Sequence, residues 1–190
     1  MSGGADSAIL LYILAKAFRD QNLTHEICTM TVDKTDGAVE HAQNVIGWVR
    51  NEVNYPIHDP IIGGDRTLPH NKITNTFIKH LMSSGQFDYV YVAENKIPPI
   101  DFPFGETNDF PGLAPLRKGN KTNNPRIQLP FENLYKFQTV DLYFRLGVES
   151  LLEVTHTCTE QPEGRCNVCW QCSERRWAFS QLNKIDPGSA

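Results

Sequence analysis

Two groups of residues in this chain have types and spacings that could do chemistry. The first is Ser2-Gly3-Gly4-Ala5-Asp6-Ser7, which opens directly onto an apolar run. Its glycines let backbone N–H groups approach phosphate oxygens, the hydroxyls of Ser2 and Ser7 add donors, and a helix starting here would set its positive end behind them. Asp6 would repel bare phosphate, so its expected role is to hold Mg²⁺ bridging a pyrophosphate, because hard cations prefer carboxylate oxygen. The bland alternative is a flexible turn with an ordinary Asp or Ser helix cap. Five fixed residues in six favour the phosphate loop.

The second group is Cys158-X7-Cys166-X2-Cys169-X2-Cys172, four thiols crowded into fifteen residues. Two tight pairs sharing Cys169 suit a tetrahedral Cys₄ zinc site. Free buried thiols would leave the clustering unexplained. Cysteine count alone does not separate zinc from an iron–sulfur cluster, but four ligands close a zinc site and no fifth thiol lies nearby in sequence to do chemistry, which favours structural zinc. Cys28 stands apart in a β-branched run and reads as core.

Elements that must position these groups follow from hydrophobic period. Residues 8–18 are apolar nearly all round and predict a mostly buried helix, capped by Asp6 or Ser7. Residues 25–32 predict a strand ending at Asp33, and Val39, Ala42, Val45, Ile46 and Val49 then recur at helical spacing. Residues 55–62 predict a strand, 71–84 a helix and 87–93 a third strand. This alternation predicts an α/β fold with a parallel sheet. A glycine loop that opens a helix is ordinarily delivered by an apolar strand, and only Met1 precedes this one. The expectation is that the first, central strand is missing or that another segment fills its place.

Residues 94–130 differ in character. They hold seven of the twelve prolines, with Phe102, Phe104, Phe110, Arg117, Lys118, Lys121 and Arg126. A stretch this long without periodicity predicts a substrate or lid loop. The phenylalanines could stack on a heterocycle and Arg117, Lys118 or Arg126 could close over phosphates, although loop aromatics are more often anchors and loop charges more often solvated. Helical spacing resumes over 132–146, with Gly147 as the expected C-cap. Two units are therefore expected: an α/β nucleotide-binding domain over 1–153 and a zinc-binding module over 154–190.

Composition bounds the rest. With 190 residues, 40% hydrophobic, and a net charge of −4, the chain suits one ordinary core plus an appendage and offers no electrostatic footprint for duplex nucleic acid. The apolar start is interrupted by Lys16 and lacks a basic leader, so neither a signal peptide nor a membrane span is expected, and the location expected is the cytoplasm. A homodimer is compatible with the sequence. The six histidines show no paired metal-ligand spacing; His156, two residues before Cys158, reads as a strand-end surface residue rather than one supporting the metal ligands.

The Ser2-Gly3-Gly4-X-Asp6-Ser7 loop resembles the signature of the PP-loop ATP pyrophosphatases, whose fold is adenine nucleotide alpha hydrolase-like, a Rossmann-like α/β arrangement. Together with the cysteines, the chain is similar to the 7-cyano-7-deazaguanine synthases of queuosine biosynthesis. Leu129-Pro130 with Leu134 and Lys136 resembles their Pro-Leu…Leu-X-Lys segment; residues 147–157 resemble their passage into the first cysteine; and Gly164-Arg165-Cys166 through Cys172 to Arg175, Ala178 and Phe179 resembles their cysteine knuckle and following helix. The resemblance implies ATP, Mg²⁺ and Zn²⁺ as cofactors. It implies Asp6, Ser7 and Lys136 as catalytic residues, and Ser2, Gly3, Gly4, Ala5, Asp6, Ser7, Val32 and Asp33 as nucleotide contacts. On residue type alone Lys136 could equally be a solvated helix-start lysine.

The middle of the chain departs from that family. Asp33-Lys34-Thr35-Asp36 stands where those synthases carry Asp-Tyr-Gly-Gln, and residues 94–130 hold no equivalent of their Ser-Gly-Tyr-Pro-Asp-Cys-Arg segment. The function implied is an AMP-forming ligase that adenylates a carboxylate and amidates it with ammonia, with a 7-carboxy-7-deazaguanine-like acceptor as first candidate. Two rivals stand beside it: a PP-loop enzyme inserting sulfur into tRNA, and a catalytically silent protein binding nucleotide and zinc.

Overall fold

A computed structural model describes residues 1–33, 36–64, 70–98 and 124–188, apart from the side chains of residues 70 and 71. The chain is a mixed α/β protein. Helix α1 (Ala5–Asp20) buries Ile9, Leu10, Leu11 and Tyr12. The expected cap is corrected. Gly4 is the N-cap and no side chain caps the helix, so Asp6 and Ser7 lie inside the first turn; there the Ser7 hydroxyl donates to the Gly4 carbonyl at 3.0 Å.

Strand β1 (Ile27–Val32) leads into α2 (Ala38–Val53), which returns the chain to β2 (Ile57–Gly63). The two strands pair in parallel, and the pairing slips from Cys28–His58 to Met30–Ile61. The slip falls at Pro60, which has no N–H to give to the ladder and is tolerated only at an edge or bulge. Cys28 is half-buried in the wall of a large cavity rather than closed in the core.

Helix α3 (His70–Ser83) precedes β3 (Val90–Tyr91), which pairs in parallel with β4 (Ile127–Gln128). The strand expected over 87–93 is thus only two residues long. Among the described residues its ladder comes from β4 alone, and regular pairing covers only what two residues can supply. The expected single parallel sheet is accordingly two separate two-stranded parallel sheets, and one continuous Rossmann-like sheet is not formed by the described residues. Arg126, expected over phosphates, instead donates to the backbone carbonyls of Asp88 and Phe87. Phe102, Phe104, Phe110, Arg117, Lys118 and Lys121 lie outside the described residues.

Helix α4 (Lys136–Leu146) starts four residues later than its periodicity predicts, because a turn in which the Leu134 N–H bonds the Phe131 carbonyl precedes it. It ends at Gly147 in the left-handed conformation, φ 68°, as a C-cap. A short α5 (Ser150–Glu153) and α6 (Trp170–Gln181) complete the chain. Ala178 and Phe179 of α6 join Ile9, Val45, Val140 and Leu151 in one apolar core. No helix of the described residues is long and apolar enough to cross a membrane.

Candidate active site and cysteine centre

The glycine loop is fixed by backbone geometry. Gly3 has φ +74°, and a Cβ there would lie 2.5 Å from the His41 Cβ and 2.6 Å from its carbonyl carbon. Only glycine fits this close approach to α2. The Gly3 carbonyl accepts the His156 N–H at 3.0 Å, and the Ser2 hydroxyl oxygen accepts the Gly4 N–H at 3.4 Å. The Tyr143 hydroxyl of α4 donates to the Ala5 carbonyl. Burial, reinforced by the nearby Asp6 charge, pushes this phenol well above its ordinary range, so it remains a neutral donor. With no side chain on its first amides, the N-terminus of α1 is left able to receive an anion.

Asp6 projects from the first turn of α1 and meets Lys136, the first residue of α4, 130 positions away in sequence. The Lys136 side chain is only 4% exposed, which excludes the solvated helix-start reading. Asn95 completes the group. With its amide nitrogen facing the carboxylate it donates at 2.8 and 3.1 Å to the two Asp6 oxygens, while its oxygen accepts from the Thr139 hydroxyl at 2.6 Å. The ammonium and the amide thus balance a carboxylate that would otherwise be poorly solvated. Chemically the group is a carboxylate and a cation held side by side in the first turn of α1.

Asp6, Lys136 and Asn95 line a cavity of about 1940 Å³, also bordered by Ser2, Asp36, Glu94 and His156. Val32 lines it and is buried. Asp33 lies just past the end of β1, its N–H bonded to the Gly63 carbonyl at 3.1 Å. One carboxylate is a sparse Mg²⁺ site by itself, but that ion is ordinarily held by one or two carboxylates plus phosphate oxygens, and Asp6 at the glycine loop fits this pattern.

The cysteine centre lies next to the loop. The ligand atoms of Cys158, Cys166, Cys169 and Cys172 all fall within 4.8 Å of one another, and the group could hold a metal ion. With metal–sulfur bonds of about 2.3 Å, tetrahedral zinc needs sulfurs about 3.8 Å apart, a spacing inside the cluster's bound of 4.8 Å. The knuckle is built by backbone donors: Cys169 N–H to Cys166 Sγ at 3.2 Å and Cys172 N–H to Cys169 Sγ at 3.4 Å. A bond from the Cys172 thiol draws Cys169 down to about 4 and holds Cys172 up, while burial raises Cys166. A thiolate is the ligand form, so the cluster already favours one of the charges a cation would need.

Arg175, fully buried on α6, ties this centre to the loop. Its guanidinium grips the Asp186 carboxylate at 2.7 and 2.8 Å and donates to the hydroxyls of Thr155 and Thr157 at 2.7 and 3.0 Å. His156, between those threonines, stacks on His41 with ring centroids 4.0 Å apart. Their Nε2 atoms lie 2.9 and 2.6 Å from the carbonyls of Gln161 and Pro162. Burial first, then His41, lowers the His156 imidazole below its ordinary value. His156 is therefore half-buried beside the glycine loop, not a surface residue.

Sequence reasoning singled out Asp6, Ser7 and Lys136, and Asp6 and Lys136 meet. It missed Asn95, Tyr143 and the His41–His156 stack, because each lies too far along the chain from its partner for spacing to show the contact. Residues 108–183 match the family model of the queuosine biosynthesis protein QueC. No curated protein and no solved structure matches the chain. The family match spans β4, α4 with Lys136, and the whole cysteine centre, so in this stretch the chain is similar to a family of queuosine biosynthesis.

Proposed function

We propose that this chain is an ATP-dependent, AMP-forming ligase of the 7-cyano-7-deazaguanine synthase kind, which adenylates a carboxylate and amidates it. The observation that carries the reading is the meeting of Asp6 and Lys136 at an uncapped glycine loop, with Lys136 inside the stretch similar to QueC. In this reading the amides of residues 5–7 and the hydroxyls of Ser2 and Ser7 cradle the β and γ phosphates, and Val32 and Asp33 border the nucleotide. Lys136 turns from Asp6 to the phosphates, and Asn95 keeps the carboxylate oriented. Asp6 is then the carboxylate that would hold Mg²⁺, and the ion would supply positive charge against the departing pyrophosphate. An acceptor carboxylate oxygen bonds to the α-phosphorus as the bond to pyrophosphate breaks. Ammonia then attacks the acyl carbon, AMP leaves with the C–O electron pair, and the amide loses a proton to solvent. A second adenylation, on the amide oxygen, would allow loss of AMP to a nitrile.

Zinc at the four cysteines is structural in this reading, since a closed thiolate set leaves no position for substrate. The test supplies ATP, Mg²⁺, ammonia and 7-carboxy-7-deazaguanine and follows pyrophosphate. Release that depends on the acceptor, with amide or nitrile in the mass spectrum, is the expected result. Formation of a thiolated nucleoside from tRNA and a sulfur donor, with no amide, would transfer the site to sulfur insertion.

A further inference from the structure

The cavity of about 1940 Å³ exceeds what one small molecule fills, since about 300–1,000 Å³ is typical. With ATP at the glycine loop, a second ring has room beside it, and helix α6 supplies a wall for such a ring. Trp170, Gln171 and Glu174, near the start of α6, all line the cavity. Residues three or four apart are neighbours on a helix surface, so Trp170 and Gln171 both flank Glu174. Two packing contacts bring this wall to the Asp6–Lys136 pair. Trp177, one turn beyond Glu174, packs edge-on against Tyr135 and Phe137 with ring centroids 6.3 and 5.7 Å apart, and those two rings flank Lys136 in sequence. From the other side the Thr159 hydroxyl donates to Gln171 Oε1 at 3.2 Å. Thr159 follows closely on His156, whose carbonyl oxygen is 3.4 Å from where a Cβ on Gly4 would lie.

The side chains of this wall differ in what they can offer. The bond from Thr159 engages the amide oxygen of Gln171, which leaves its NH₂ group, a donor only, as what it presents to the cavity. Glu174 brings two acceptor oxygens and no donor. Arg175, next in sequence, directs its guanidinium to Asp186, Thr155 and Thr157 instead. Trp170, 6% exposed, is a rigid apolar surface on which a planar ring can pack. One donor beside a pair of acceptors is the complement of a ring edge that reads carbonyl, N–H, amino.

We propose that Gln171 and Glu174 are the residues that select the acceptor, and that they select a planar heterocycle carrying a carbonyl, a ring N–H and an amino group along one edge. Gln171 donates to the ring carbonyl. The Glu174 carboxylate accepts from the ring N–H and from the amino group through two parallel charge-assisted bonds. The acceptor's own carboxylate, carried away from that edge, is left to face the glycine loop. The inference rests on the ligase reading for its view that an acceptor shares this cavity with ATP.

The test measures binding by isothermal titration, with and without an α,β-methylene analogue of ATP, so that no reaction is needed for the signal. The two probes are 7-carboxy-7-deazaguanine and its 2-oxo counterpart, 7-carboxy-7-deazaxanthine, in which an acceptor oxygen replaces the amino group. The parent chain should prefer the 2-amino probe by roughly 100-fold. Glu174→Gln sets an oxygen and an NH₂ group where two oxygens stood, so it should reverse the preference, accepting from the ring N–H and donating to the 2-oxo group. Lost packing does not reverse a preference. Gln171→Leu should weaken both probes by roughly 10-fold. A parent chain that binds neither probe, or both equally, overturns the proposal whatever the variants do. So does a folded Glu174→Gln protein that keeps the parent's preference, or a Gln171→Leu protein that binds as tightly as the parent. Products formed with ATP and Mg²⁺ are read separately. The expected preference without AMP formation would remove the ligase reading and leave the subsite standing, whereas acceptor-dependent AMP without the preference would do the opposite.

Discussion

In the proposed reaction Lys136 and Asp6 are the pair through which the glycine loop would do chemistry, and the two can be separated by substitution. Lys136→Met keeps the length and apolar stem of the side chain and removes the charge. Asp6 then retains Asn95 and partial solvent contact, 20% of its side chain being exposed, so the fold should survive. Loss of a cation aimed at a phosphate costs about 3–4 kcal/mol in the transition state, so acceptor-dependent pyrophosphate release should fall by roughly 10²–10³-fold. A variant that unfolds, or one that releases pyrophosphate at the parent rate, removes Lys136 from this role. Gly3→Ala acts through geometry instead. A left-handed backbone costs alanine about 1 kcal/mol, and its Cβ would sit 2.5 Å from that of His41. Its melting temperature should fall by at least roughly 5 °C, with nucleotide binding lost in the same variant. Asp6 was legible in the sequence because six adjacent residues carried the signal, and Lys136 because its flanking pattern resembled a family segment. Asn95 was not, since one asparagine at the head of a long aperiodic stretch has no spacing to betray it.

Helix α6 packs on α4 and is tied by its buried Arg175 to Thr155 and Thr157, and that makes the helix sensitive in a particular way. Removing one partner of a buried ion pair costs about 3–5 kcal/mol because the other charge is stranded. Arg175→Met should therefore destabilise by about that amount in denaturant unfolding, and adding Asp186→Asn to it should cost less than the two single changes together. The same pair sets an acid limit. Burial would raise the Asp186 carboxyl, but bonds from Arg175 and Arg165 outweigh it and hold the group below its ordinary value. Its contribution is therefore present in full above the unfolded value of about 3.9 and is lost as pH falls through the lower folded value. Denaturant midpoints measured from pH 3 to 7 should fall steeply below about pH 4, and the Asp186→Asn protein should show a shallower acid limb. Helices α2, α3 and α4 were legible because an apolar face repeats every three to four residues, and α1 because its run is apolar nearly all round. Strand β3 was legible only as a run of apolar residues, because a strand's length is fixed by its neighbours and the run says nothing about which neighbours are present.

On the scale of the whole molecule, helix α6, which follows the cysteines, contributes to the same apolar core as α1 and α4. Ala178 and Phe179, beyond the last cysteine, share a core with Ile9 of α1, and the His156 N–H holds the Gly3 carbonyl. Periodicity located α2, α3 and α4, but it could not say that α6 shares a core with α1 and α4, since that contact depends on how the intervening chain turns. Structural zinc contributes about 10–16 kcal/mol of binding free energy in small modules, comparable to the whole stability of an ordinary domain at about 5–15 kcal/mol. Without a metal, four thiols packed this closely lose the cation that would hold them together. Stripping the metal with a strong chelator should therefore lower the melting temperature of the entire described fold in one cooperative transition and weaken nucleotide binding with it. Cys169→Ser should reproduce both effects and lower bound zinc below one per chain, because Cys169 is also the N-cap of α6. The measurement is scanning calorimetry beside metal analysis and nucleotide titration. Two resolved transitions, with nucleotide affinity unchanged after the first, would mean that the cysteine centre folds apart from the loop and that the bonds through His156 transmit nothing.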